Sequence, residues 1–111
     1  MNIEEIREHC LAKTGVTEGL PFGEDVLVFK VSHKIFVLAN LEGQLRISLK
    51  CNPELAIDLR ERYRAVLPGY HMNKKHWNTV IIDGSISDEK IIQWIDHSYE
   101  AVSNTLPSSK K

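Results

Sequence analysis

The side chains with the most chemistry crowd into one stretch, Tyr70 to Thr79, which holds Tyr70, His71, Lys74, Lys75, His76, Trp77 and Asn78. Lysines neutralise phosphates, an aromatic ring stacks on a base, and asparagine or histidine bonds to base edges. Cations interleaved with aromatics are what a nucleic-acid surface needs. The same residues also fit a lysine-rich exposed loop, with Trp77 buried as the first core residue of a strand. In a further alternative, Tyr70, His71 and Trp77 line a pocket for a small molecule or a protein partner.

A second candidate patch lies upstream. Between Gln44 and Lys50, Leu45, Ile47 and Leu49 alternate with Gln44, Arg46, Ser48 and Lys50. Period two places the polar set on one face of a strand. Lys30 and Lys34 adjoin it through a hairpin. A solvated sheet face explains this pattern equally well, because Lys and Arg guard exposed strands.

Other chemistries find little support. His71 and His76 are five apart with no carboxylate between them, and no C-x-x-C or H-x-x-x-H spacing occurs. Glu4, Glu5 and Glu8 read as the solvated face of a helix. There is no G-x-S-x-G and no phosphate-cradling glycine loop. Cys51 has no sequence context that would pair it with His71 or His76 as an activated nucleophile. No enzyme activity, metal or cofactor is expected.

These residues need a scaffold, and the composition supplies an ordinary one. The 111 residues fit one domain, 26% charged and 42% hydrophobic, which excludes disorder. No apolar run reaches the roughly 20 residues that span a bilayer. Met1-Asn2-Ile3-Glu4-Glu5 has neither the basic region nor the apolar core of a signal peptide, so the cytosol is the expected location. Cys10 and Cys51 are expected to be reduced thiols packed as small hydrophobes. The net charge is −1, but it is unevenly spread. Residues 30–80 carry nine Lys/Arg against Glu42, Glu54, Asp58 and Glu61, a net of +5 between two acidic flanks.

The pattern predicts a helix over Ile3–Lys13, capped by Asn2 with Glu5 as the reciprocal partner. Gly19, Pro21 and Gly23 make Thr17–Asp25 a loop. Strands follow at Val26–Val31, Lys34–Leu41 and Gln44–Lys50. Glu42-Gly43 forms one turn, and Ser32-His33 forms another without the glycine or asparagine such turns prefer. Asn52-Pro53 opens a second helix with Leu55, Leu59 and Tyr63 inward and an exposed Asp58/Arg62 pair. After Pro68-Gly69 comes a strand from Trp77 to Asp83. Ser87 then caps a last helix whose Ile91, Ile95, Tyr99, Val102 and Leu106 line one face. The order is α-β-β-β-α-β-α, with room for a short strand near Val66–Tyr70. The fold class is α+β, a single antiparallel sheet with helices packed on one face. Residues 1–106 form one domain, and 107–111 a frayed tail.

Several stretches resemble the MmcQ/YjbR family: Pro21-Phe22-Gly23, Asp25 to Val31, Ile47-Ser48-Leu49-Lys50-Cys51-Asn52-Pro53-Glu54, and Pro68-Gly69-Tyr70-His71-Met72-Asn73-Lys74-Lys75-His76-Trp77-Asn78-Thr79-Val80. The resemblance runs from Ile3 to Leu106. It implies a CyaY/frataxin-like fold and DNA binding through β-hairpin wings, with double-stranded DNA as the partner. On that reading Lys30, Lys34, Arg46, Lys50, Lys74, Lys75, His76 and Asn78 are the nucleic-acid contacts.

Overall fold

Three local signals start the three helices. Asn2 accepts a hydrogen bond from the Glu5 N–H at 2.9 Å, and the Glu5 carboxylate accepts the Asn2 N–H at 3.1 Å. This reciprocal cap starts α1, Ile3–Leu11, which buries Ile6 and Cys10. Asn52 accepts from the N–H groups of Glu54 and Leu55, and Pro53 stands at the first turn of α2, Pro53–Arg62. The Ser87 hydroxyl accepts the Lys90 N–H at the start of α3, Asp88–Ser103. The computed structural model describes residues 1–69 and 72–103.

Six strands form one antiparallel sheet: β1 Val16–Gly19, β2 Val26–Val31, β3 Lys34–Asn40, β4 Arg46–Lys50, β5 Val66–Pro68 and β6 Trp77–Ile81, in the spatial order β1-β2-β3-β4-β6-β5. The expected α+β class is therefore the observed one. The sheet holds two strands beyond the main order read from the sequence. β5 occupies the place left open near Val66. β1 corrects the expectation of a loop over Thr17–Asp25: Thr17, Glu18 and Gly19 pair with Lys30, Phe29 and Val28. Glycine is tolerated there because β1 is an edge strand, braced by β2. Leu106 and the tail 107–111 lie outside the described residues.

One face of the sheet is covered. α3 packs across β2, β3 and β4, α1 against β1 and α3, and α2 against β5 and β6. Phe29, Phe36, Val37, Ile47, Val80, Ile6 and Ile95 fill the interior. Phe36 and Val37 are neighbours, yet both are buried. A β-bulge between Phe29 and Lys30 explains it, since Phe29 faces Val37 and Lys30 faces Ile35, leaving Phe36 as the extra residue. Phe36 meets the Tyr99 ring edge-on at 5.4 Å.

The bulge also marks where β3 and β4 part. Their ladder ends at Val37 and Leu49. Beyond it the buried Ser98 hydroxyl of α3 donates to the Phe36 carbonyl at 2.5 Å and accepts the Lys50 N–H at 2.8 Å. A helix side chain thus satisfies one backbone group on each strand where the direct pairing stops.

Further ties hold the helices down. Arg7 of α1 makes a two-pronged contact to Glu18 at 2.7 and 2.6 Å, and these hydrogen bonds hold the Glu18 carboxyl below its ordinary pKa. Asp96 of α3 receives both His9 at 2.6 Å and Lys13 at 2.5 Å. The Asp58–Arg62 pair forms on α2 as read from the spacing, at 3.1 Å.

Candidate nucleic-acid interface

The helix-free face of the sheet follows from the pairing register. Val28, Leu38, Ser48 and Thr79 line up across β2, β3, β4 and β6. Alternation along the strands adds Lys30, Asn40, Arg46, Lys50, Trp77 and Ile81 to the same face. Every charged residue in that set is a cation. The strands contain one carboxylate, Glu18, and it lies on the covered side against Arg7.

The two ends of this face differ. At one end Val26, Asn40, Arg46 and Ile81 are in register, and the adjoining loops carry Glu24, Asp25, Glu42 and Asp83. At the other end lie the Ser32-His33 turn, the end of β4 and the segment leading into β6. Residues 28–35, 48–52 and the described residues of 67–77, which build this end, contain no carboxylate. They contain Lys30, Lys34, Lys50, Lys74 and Lys75. Arg60 of α2 adds a further cation, its Nη1 donating to the Lys74 carbonyl at 3.3 Å.

Local structure displays these cations. Ser32 and His33 both adopt positive φ, 48° and 70°, the conformation of a tight mirror-image hairpin turn. Neither residue is glycine or asparagine, so the turn is strained by about 1 kcal/mol per residue. Asn73 organises the second projection: its side chain accepts the Lys75 N–H at 2.8 Å, and its carbonyl accepts from His76 and Trp77. Lys74 and Lys75 are thereby exposed at the tip. Gly69 makes the approach to β6 possible. A side chain there would meet Trp77 Cβ at 2.7 Å and the Trp77 carbonyl oxygen at 2.9 Å.

Most of the residues picked from sequence come together here. Lys30, Arg46 and Lys50 share the helix-free face by register, and Lys74 and Lys75 are exposed at its carboxylate-free end. Lys34 is exposed at that end too but, as the register partner of the core residue Val31, on the opposite side of the sheet. His76 is half-buried at that end, and its carbonyl accepts the Cys51 N–H at 2.7 Å. Asn78 is a correction. It is buried on the covered side, where its amide donates to the Ala56 carbonyl of α2 at 3.1 Å, so it ties α2 to the sheet and cannot reach a surface ligand. Ser48 is corrected as well. It belongs to the polar strand face read as solvated, yet it is buried, and its hydroxyl bonds to that of Thr79 at 3.0 Å. Tyr70 and His71 lie outside the described residues.

The helix-free face also holds a cleft that residue types alone did not reveal. It encloses about 380 Å³ and is lined by Phe22, Val26, Ile35, Leu38, Asn40, Arg46, Ser48, Met72 and Thr79. Trp77, expected to line a pocket, is on the same face but not among the described lining residues. The alternation of Leu38 and Asn40 against Val37 and Ala39 was the available signal for the cleft floor.

Nucleophilic chemistry gains no support from the cysteines. Burial pushes the Cys10 thiol up to about 12 and the Cys51 thiol up to about 11, so both are protonated at neutral pH. Among the described residues no group of three or more His, Cys, Asp or Glu is placed to hold a metal ion, and no helix is long and apolar enough to cross a membrane.

Comparison with known proteins agrees with this architecture. A family model described as YjbR matches residues 11–101. The chain is 37% identical to the Escherichia coli K12 protein YjbR, over all of this chain and 95% of that one. It is 39% identical to YbdF of Escherichia coli O157:H7, over 78% of this chain and 71% of that one. Both relatives are described as uncharacterized. Among solved structures, Deinococcus radiodurans DR2400, described as a DUF419 domain, superposes with a TM-score of 0.93 at 32% identity, covering 98% of this chain and 84% of that one. A Pseudomonas syringae protein superposes with a TM-score of 0.80 at 28% identity, covering 91% and 98%. In sequence over most of its length and in fold over nearly all of it, the chain belongs to the YjbR family.

Proposed function

We propose that this protein is a nucleic-acid-binding module, with DNA as its ligand, rather than an enzyme. The observation that carries the reading is the separation of charge. The helices carry most of the carboxylates, while one end of the helix-free face is built from three segments that have none. On a chain of net charge −1, only such local concentration can attract a polyanion. Lys30, Lys50, Lys74 and Lys75 meet phosphates in this reading, and Lys34 and Arg60 add to the field.

The test is fluorescence anisotropy of a labelled random DNA duplex at two salt concentrations. Four phosphate contacts correspond to a loss of about 150-fold in affinity for a fourfold rise in salt. Lys74→Ala with Lys75→Ala should weaken binding and flatten that salt dependence by about two contacts without unfolding the domain, since both side chains are exposed. Unchanged affinity in the double variant at low salt would sink this assignment of contacts.

A second reading has one specific observation in its favour. The cleft is mostly apolar and large enough for a small organic ligand, which a phosphate-binding surface does not by itself require. A small-molecule or protein partner would bind there with little response to salt or to the Lys74/Lys75 variant.

A further inference from the structure

We infer that the nucleic acid is bound as a single strand, with one unstacked base seated in the cleft lined by Phe22, Leu38 and Arg46. The inference rests on the nucleic-acid reading above and specifies the form of the ligand. The cleft and the cations are parts of one surface: Lys50 follows Ser48 by two residues on β4, and Lys30 is the register partner of Ile35, which lines the cleft. A ligand held by those lysines therefore lies over the cleft.

A duplex makes poor use of that arrangement. It presents charged, hydrated phosphates on its outside and keeps its base faces stacked within. Laid over Val26, Ile35 and Leu38, it would cover apolar surface with groups that must stay hydrated. A single strand offers both chemistries, phosphates for the lysines and a free base face for the cleft. Phe22 is the most telling wall. It is 64% exposed, a large aromatic ring at the rim with most of its surface in water. A stacked base would take that surface out of water. Arg46 and Asn40 supply polar groups on the same wall, and Arg46 has no ion-pair partner among the described residues. Its guanidinium can stack on a base or donate to one. The strand residues facing the ligand carry only positive charge, while Glu24, Asp25, Glu42 and Asp83 lie in the loops beyond Arg46. Charge complementarity therefore selects a strand whose phosphates run toward Lys30 and Lys50 and whose base, the uncharged part, sits at the Phe22 end.

The experiment compares a short labelled mixed-sequence single strand with the same sequence annealed into a duplex, by anisotropy at low salt. Deoxy and ribo versions of the single strand separate the two sources. The expected result is single-strand binding at least tenfold tighter than duplex binding, for one or both sugar types. Phe22→Ala should weaken single-strand binding by about 5- to 150-fold, the worth of one aromatic–base stack, and leave duplex binding and the melting temperature unchanged. Equal affinity for both forms, or tighter duplex binding, overturns the single-strand inference and leaves the nucleic-acid reading standing. So does a silent Phe22→Ala in a protein that binds single strands. Absence of binding to either form at low salt overturns both readings at once.

Discussion

The two faces of the sheet are made of similar residues and put to different uses. Against the helices, Phe29, Phe36, Val37 and Ile47 are sealed, and polar groups there tie elements together. The Ser98 hydroxyl binds two strands, the Asn78 amide N–H binds α2 while its Oδ1 has no partner among the described residues, and Glu18 binds Arg7. On the other face Ile35 and Leu38 remain half-exposed and Phe22 exposed, and Lys30, Arg46 and Lys50 have no carboxylate among the strands beside them. Stability is concentrated on one side and available chemistry on the other. A strand joins the two because its side chains alternate, so each strand serves both purposes.

The sharpest way to break that comparison is a pair of truncations two residues apart on β3. Phe36→Ala, on the covered side, should cost about 3–5 kcal/mol in urea unfolding. Leu38→Ala, on the cleft side, should cost about 1 kcal/mol while weakening ligand binding. Equal losses of stability at the two positions would mean that the faces are not functionally distinct.

A smaller effect is expected at Ser98. Replacing it by valine keeps the bulk but leaves the buried Phe36 carbonyl and Lys50 N–H without their shared partner. The expected cost is about 1–3 kcal/mol. Amide exchange at Lys50 should speed up more than exchange at Leu49, because only the former bond is lost.

The smallest effect is electrostatic and confined to acid. Burial pushes the Asp96 carboxyl up, but hydrogen bonds from Lys13 and His9 outweigh it and hold the group below its ordinary 3.8. A carboxyl with a lowered folded-state pKa contributes stability that is present above its unfolded value and lost as pH falls through the folded one. The tie of α3 to His9 and Lys13 should therefore weaken below about pH 4. In Asp96→Asn the neutral-pH stability should be lower and the acid decline shallower, read from thermal unfolding across that range. Glu18 has the same sign, held low by Arg7.

How far the sequence foretold the molecule depends on the range of each signal. The helix starts at Asn2, Asn52 and Ser87 were legible because a cap acts within one turn. Strands β2, β3 and β4 were legible from their composition and turns. β1 was not, because Val16–Gly19 is a strand only by virtue of its pairing with β2. Phe36 broke the alternation through a bulge that no local pattern announces. At the candidate interface, the grouping of the lysines at one end of the sheet was legible because charge is visible residue by residue. Asn78 was misassigned because its neighbours are basic, although its two-residue spacing from the buried Val80 carried the right answer. The cleft was missed because its walls come from the 20–25 loop, four strands and Met72, which only the sheet order brings together.

The sheet's borders carry a consequence of their own. β1 has four residues and β5 three, the last of them Pro68, which has no N–H to donate. An incoming strand at either border would find few backbone groups to pair with, so end-to-end polymerisation and amyloid-like stacking gain little there. Growth in the plane of the sheet is therefore disfavoured at both margins, and any association of copies is directed to the helix-free face instead.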